Sequence, residues 1–164
     1  MHSLLNSPHD NFLIIQKGAY HSPKKVVVIY LQALSKFTDF YRQNSAIWLE
    51  QFDYKESGPH LILLAFLQRI VNGGGKIHRE YALGRGRVDI VVLWKTQRIV
   101  IELKVYKGKN TLLEGLEQTA KYMDTSNATQ GHLVIFDKRE KSWDEKIYTK
   151  QENIGDKVIT VWGM

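Results

Sequence analysis

The spacing of apolar residues changes once along this chain, from steps of three and four to steps of two. Over "PKKVVVIYLQALSKFTDFYRQ" the apolar side chains recur every three or four residues, the period of one helix face. Ser22 offers a capping hydroxyl, and Pro23 suits a first helical position that needs no N–H partner, so a helix from Pro23 to about Arg42 is predicted. "NSAIWLEQF" predicts a second, shorter helix. Ser57 and Pro59 open a third, "PHLILLAFLQRIVN", which the glycines at 73–75 close. The third is apolar nearly all round and is expected to be buried. Residues 1–21 show no period and read as a loosely structured lead-in docked by Leu13, Ile14 and Ile15.

Beyond residue 75 the period becomes that of strands. "KIHREYAL", "RVDIVVLW" and "RIVIELKVY" read as three successive strands, with "KTQ" turning between the last two. Thr111 and Glu114 match a capping box and predict a helix to about Asp124, in which Gly115 implies close packing against a sheet. "GHLVIFD" predicts a further strand, and "EKIYT" and "KVITVWG" two late ones. This order of elements predicts a mixed α/β domain with helices against a sheet.

Three charges interrupt the apolar runs. If the hairpin is centred between Lys95 and Thr96, residue 94 pairs with 97 and Asp89 falls opposite Glu102. Val88 with Leu103, Ile90 with Ile101 and Val92 with Ile99 then share one apolar face, while Asp89, Glu102 and Lys104 share the other. Facing α-carbons in such a pair lie roughly 4.5 to 5.5 Å apart, and two carboxylates that close, under a covering helix, repel each other. A divalent cation would offset the repulsion. Mg2+ or Mn2+ commonly binds through one or two carboxylates plus substrate phosphate oxygens, and such an ion polarises a phosphodiester and activates water. The Lys104 ammonium can position the attacking water or offset transition-state charge. The bland alternative is a solvated ion-pair cluster on an edge hairpin.

Composition narrows the partners. The 164 residues are 43% hydrophobic, enough for one core. A net charge of +6 makes polyanions plausible partners, and Arg79, Arg85, Arg87, Lys107 and Lys109 place positive charge at both ends of the hairpin, where a phosphate backbone could lie. The absence of cysteine removes disulfides, thiolate ligands and a cysteine nucleophile. Six scattered histidines show no H-E-x-x-H spacing, which argues against a zinc hydrolase. Neither the glycines at 73–75 nor those at 84 and 86 fit a P-loop, so no ATPase site is read here. No apolar run approaches the ~20 residues of a membrane span and no signal peptide is evident, so a cytoplasmic location is expected.

"VD" at 88–89, followed after a turn by "ELK" at 102–104, resembles the PD-(D/E)XK nuclease superfamily, with "QTAKY" at 118–122 similar to the QxxxY motif of its exonuclease-like branch. More closely, "GRGRVDIVV", "VIELKV", "EGLEQTAKYMD", "GHLVIFDK" and "ITVWGM" resemble the C-terminal nuclease-like domain attached to prokaryotic AAA-type ATPases. The resemblance covers residues 57–164 and leaves 1–56 as an N-terminal helical extension or connector. It implies a restriction-endonuclease-like core, a mixed β-sheet flanked by helices, and metal-dependent hydrolysis of DNA. It further implies Mg2+ or Mn2+ held by Asp89, Glu102 and the Leu103 carbonyl, with Lys104 catalytic and Gln118 and Tyr122 in support. A separately encoded ATPase is an implied partner and a homodimer is compatible. The alternative is a catalytically inactive module of the same fold that binds nucleic acid or a partner ATPase. Two departures stand out: Val88 replaces the proline of the motif, and the helix before the first strand carries no acid. Glu80 is the candidate for that missing ligand, with His60 or Gln68 as substitutes at the helical position.

Overall fold

The computed structural model describes residues 23–51, 57–70, 75–83, 86–94 and 96–164. The lead-in with Leu13, Ile14 and Ile15, the Ser22 cap and Arg85 lie outside them. In chain order the elements are α1 (Pro23–Gln51), α2 (Ser57–Ile70), β1 (Lys76–Leu83), β2 (Gly86–Trp94), β3 (Gln97–Val105), α3 (Thr111–Ser126), β4 (Gln130–Phe136), α4 (Trp143–Lys146), β5 (Tyr148–Ile154) and β6 (Lys157–Gly163).

The strands form one mixed six-stranded sheet in the order β1-β2-β3-β4-β6-β5. β1, β2 and β3 are antiparallel neighbours; β3, β4 and β6 run parallel; β5 returns antiparallel along β6. The parallel step from β3 to β4 requires a crossover, and α3 supplies it. Because the central strands are buried on both faces, they read as continuous apolar runs. Ile99, Ile101 and Leu103 of β3 join α1 and α2 in one cluster. Val100, with Leu133, Ile135, Ile159 and Val161 of β4 and β6, packs under Leu116, Ala120, Tyr122 and Met123 of α3 in the other.

Several expectations are corrected. The two helices expected before residue 52 are the single helix α1: nothing between Arg42 and Ser45 breaks it, and the Asn44 amide bonds back to the Phe40 carbonyl at 2.8 Å instead of capping a new start. α2 is less buried than its composition suggests, since Leu63, Phe66 and Leu67 are covered but Leu61 is 41% exposed. The Thr111/Glu114 capping box does not form. Thr111 is already helical, the cap is Asn110 without a side-chain bond, and the Thr111 hydroxyl instead accepts from the Lys107 N–H at 3.0 Å. A capping box does form at Ser142 and Glu145, opening the short α4, so that of "EKIYT" Glu145 and Lys146 are helical while Tyr148 and Thr149 begin β5 as a strand. Val88 packs with the α3-side cluster, apart from Ile90 and Val92, so the alternation fails at the base of β2.

The division at residue 56 does not coincide with a division of the core. Phe37 and Tyr41 of α1 place their rings 6.5 and 5.2 Å from that of Phe136 on the central strand β4, and Phe37 also meets Phe66 of α2 edge-on at 5.4 Å. Since Phe37 is fully buried, Phe37→Ala is expected to destabilise the whole fold by about 3 to 5 kcal/mol. Equilibrium denaturation followed at the sheet checks this. A variant unfolding with the wild-type midpoint would make α1 an independent appendage.

Candidate active site

The charged residues gather where the β2–β3 hairpin stops being a regular ladder. Pairing runs from Trp94↔Gln97 at the turn to Ile90↔Ile101. This is the register that the turn position implied, and its next step sets Asp89 opposite Glu102. At that step a side chain replaces the ladder: Asp89 Oδ2 accepts the Leu103 N–H at 2.8 Å. In an extended strand the N–H and C=O of one residue point the same way, so the Leu103 carbonyl also faces the Asp89 side.

Glu102 lies beneath α3, with only 2% of its surface exposed. Its Oε1 is 3.3 Å from Lys104 Nζ, while Oε2 has no hydrogen-bond partner among the described residues. Burial pushes the Glu102 carboxyl up to about 7, and the Asp89 charge pushes the same way; the Lys104 ammonium opposes both. Lys104 is fixed from the helix side. Its Nζ donates to Gln118 Oε1 at 2.6 Å, and Gln118 Nε2 donates to Tyr122 Oη at 3.2 Å. Gln118 and Tyr122 stand one turn apart on α3, which the crossover places directly over β3. The chain of contacts therefore links Asp89, Leu103, Glu102, Lys104, Gln118 and Tyr122. Leu116, Ala120 and Met123 of the same helix form its apolar stripe.

Other candidates stand apart. Glu80 on β1 is exposed and engaged by Arg79 at 3.3 Å and Arg87 at 3.9 Å. Among the described residues no group of three or more His, Asp or Glu side chains is arranged to hold a metal ion, so Glu80 does not complete a three-carboxylate set with Asp89 and Glu102 in this conformation. His60 lies beside the Phe136 ring at 6.3 Å, in the cluster on the sheet face opposite Glu102, and Gln68 is exposed. Lys107 and Lys109 are exposed in the loop between β3 and α3.

The sequence reading missed Gly86. A methyl group there would lie 2.8 Å from Tyr122 Oη and 3.0 Å from its ring, so the absence of a side chain at the start of β2 lets the tyrosine lie against the strand. Nothing in a single sequence marks this glycine apart from Gly84. Gly86→Ala is expected to displace the Tyr122 ring and cost about 1 to 3 kcal/mol in thermal unfolding. Tyr122→Phe, which removes the clashing oxygen, should recover part of that loss; a strictly additive double mutant would contradict the contact. Gly115 behaves as expected, since a Cβ on it would meet both Leu133 methyl groups at 2.8 Å.

The residues present are compatible with a hard divalent cation. A buried carboxylate oxygen without a partner sits beside a second carboxylate and a carbonyl turned the same way, and Mg2+ needs few protein ligands when substrate phosphate completes its shell.

A family model described as a domain of unknown function, DUF8371, matches residues 25–140, more than half of the chain. The chain belongs to the DUF8371 family. Comparisons with curated proteins and with solved structures return no match. The DUF8371 match begins within α1 and ends past β4, so it spans both helical layers, the hairpin and the crossover, and includes every residue of the site. It also crosses residue 56, in keeping with the shared core of α1 and the sheet.

Proposed function

We propose that this chain is a metal-dependent nuclease that hydrolyses phosphodiester bonds of DNA, built on a restriction-endonuclease-like core. One observation carries the reading: Glu102 is buried with an unpartnered carboxylate oxygen beside Asp89, while the lysine two residues on is held at the same site by Gln118. A purely structural cluster would gain nothing from burying an acid whose carboxyl is destabilised by its surroundings. Such a penalty is characteristic of sites where another charge arrives.

Asp89, Glu102 and the Leu103 carbonyl would hold Mg2+ or Mn2+. When bound, the ion supplies Lewis-acid polarisation of the phosphodiester and a lowered pKa for attacking water. The remaining work belongs to the chain. Asp89 is oriented by the Leu103 N–H, which fixes one carboxylate oxygen and leaves the other to the site. Among the described residues Glu102 and Gln118 engage two of the three donors on Lys104, and the third would serve a phosphate oxygen or attacking water. Gln118 and Tyr122 keep the ammonium from turning toward solvent. Arg79, Arg87, Lys107 and Lys109 would hold the backbone of the nucleic acid, by contacts that carry no sequence information.

A second reading, a nuclease-fold module that binds nucleic acid without cleaving it, draws on Glu80: the third acid is engaged by arginines rather than turned to the site. Supercoiled and linear DNA incubated with Mg2+, Mn2+ or EDTA separate the two. Cleavage in metal alone supports the nuclease, and conversion of the circular form identifies endonucleolytic attack. Intact DNA with retarded mobility under every condition supports the binding module.

A further inference from the structure

The backbone of β1 is irregular at one point. β1 pairs with β2 from Lys76↔Leu93 to Arg79↔Ile90 and again from Tyr81↔Val88 to Leu83↔Gly86, and the pairing lapses between, where the register sets Glu80 against Asp89. Glu80 there has φ of +48°, a left-handed conformation in the middle of a strand. The other non-glycine residue with positive φ among those described is Asn127, which closes α3, a position where asparagine serves naturally. For glutamate, whose Cβ crowds the following carbonyl in that conformation, the left-handed backbone is strained. What holds it is a pair of contacts to Arg79 and Arg87, with Glu80 itself 56% exposed and the arginines 48% and 74% exposed. Exposed ion pairs of this kind are individually weak, so a strained backbone is held by restraints that a stronger partner for the arginines can displace.

We propose that Glu80 is a latent third carboxylate of the Asp89/Glu102 site, held outside it by Arg79 and Arg87 and released when nucleic-acid phosphates take those two guanidinium groups. The proposal rests on the nuclease reading and adds a substrate-controlled step to it. Return of Glu80 to extended φ restores the lapsed pair with Asp89, and directly opposed residues of antiparallel strands project to the same face. Its carboxylate then joins Asp89 and the unpartnered Oε2 of Glu102. Phosphate is the stronger partner for the arginines, because the guanidinium fork matches it in two parallel bonds. Metal and DNA binding become reciprocally linked: each favours the conformation that the other needs.

Calorimetric titration with Mn2+ in the absence of DNA tests the restraint. Arg79→Ala/Arg87→Ala is expected to bind Mn2+ about fivefold to tenfold more tightly than wild type, and adding Glu80→Gln is expected to erase the gain. The triple variant matters because loss of two positive charges alone would tighten Mn2+ binding with or without Glu80. Fluorescence anisotropy with a short duplex in EDTA tests the exchange. Glu80→Gln should tighten duplex binding about twofold to fivefold, an effect absent when both arginines are already alanine. Equal Mn2+ affinity in the double and triple variants, or equal gains in duplex binding in both backgrounds, would overturn the gate. If Asp89→Ala still abolished Mn2+ binding in that case, the nuclease reading would survive. Mn2+ binding by none of the proteins would overturn both.

Discussion

Lys104→Ala is expected to lower metal-dependent DNA cleavage by about a hundredfold to a thousandfold, the range for removing one pre-positioned charged or polar group from a reacting centre. The ammonium sits 3.3 Å from Glu102 and 2.6 Å from Gln118, so its position is set by a strand on one side and a helix on the other. Gln118→Ala leaves the charge in place and removes one of its two anchors, and should cost only about tenfold. The order of the two effects is the informative part. If Gln118→Ala were as damaging as Lys104→Ala while the protein stayed folded, the amide would be touching substrate directly. If neither variant changed the rate, Lys104 would have no part in the reaction.

Glu102→Gln should remove activity and stabilise the metal-free protein, two effects of opposite value to the cell from one atom change. The Glu102 carboxyl is raised from an ordinary value near 4.5 to about 7, chiefly by burial and then by Asp89. The folded protein therefore keeps this proton over a range where the unfolded chain has lost it. Stability associated with the protonated form is complete below pH 4.5, falls as pH rises, and is lost above about 7. The size of the shift corresponds to a loss of about 3 kcal/mol. Glutamine has no proton to lose, so in EDTA Glu102→Gln should be more stable than wild type by about 3 kcal/mol at pH 8 and nearly equal to it at pH 4.5. Mn2+ at pH 8 should close the gap by binding the wild type alone. Chemical denaturation at the two pH values, with and without the ion, reads all of this. A Glu102→Gln protein less stable than wild type at pH 8 would mean that the ion pair with Lys104 outweighs the penalty of burial.

The hairpin was legible because its pattern is redundant. The turn position, the apolar pairs Ile90/Ile101 and Val92/Ile99, and the facing acids all fix one register, and Ile90↔Ile101 and Trp94↔Gln97 pair in that register. The crossover helix was legible for the same reason, since Gly115, Leu116, Ala120 and Met123 describe one packed stripe. What was not legible depends on competition between partners. Thr111 and Ser142 each precede a glutamate by three residues, yet the Thr111 hydroxyl is taken by the Lys107 N–H while Ser142 is free to meet Glu145. Asn44 could have opened a helix, but its amide bonds inside one that was already running. The left-handed turn of Glu80 and the contact between Gly86 and Tyr122 involve residues distant in sequence or a backbone angle that glutamate does not advertise.

Asp89 gives the central claim its most direct measurement, because it touches both the strand and the site. Circular DNA is incubated with Mg2+ and either wild type or Asp89→Ala, purified identically and shown by circular dichroism to be equally folded. Cleavage by the wild type that EDTA abolishes and that Asp89→Ala lacks is the expected result. Cleavage unchanged in Asp89→Ala would place the chemistry elsewhere, and intact DNA with the wild type in both Mg2+ and Mn2+ would contradict the nuclease.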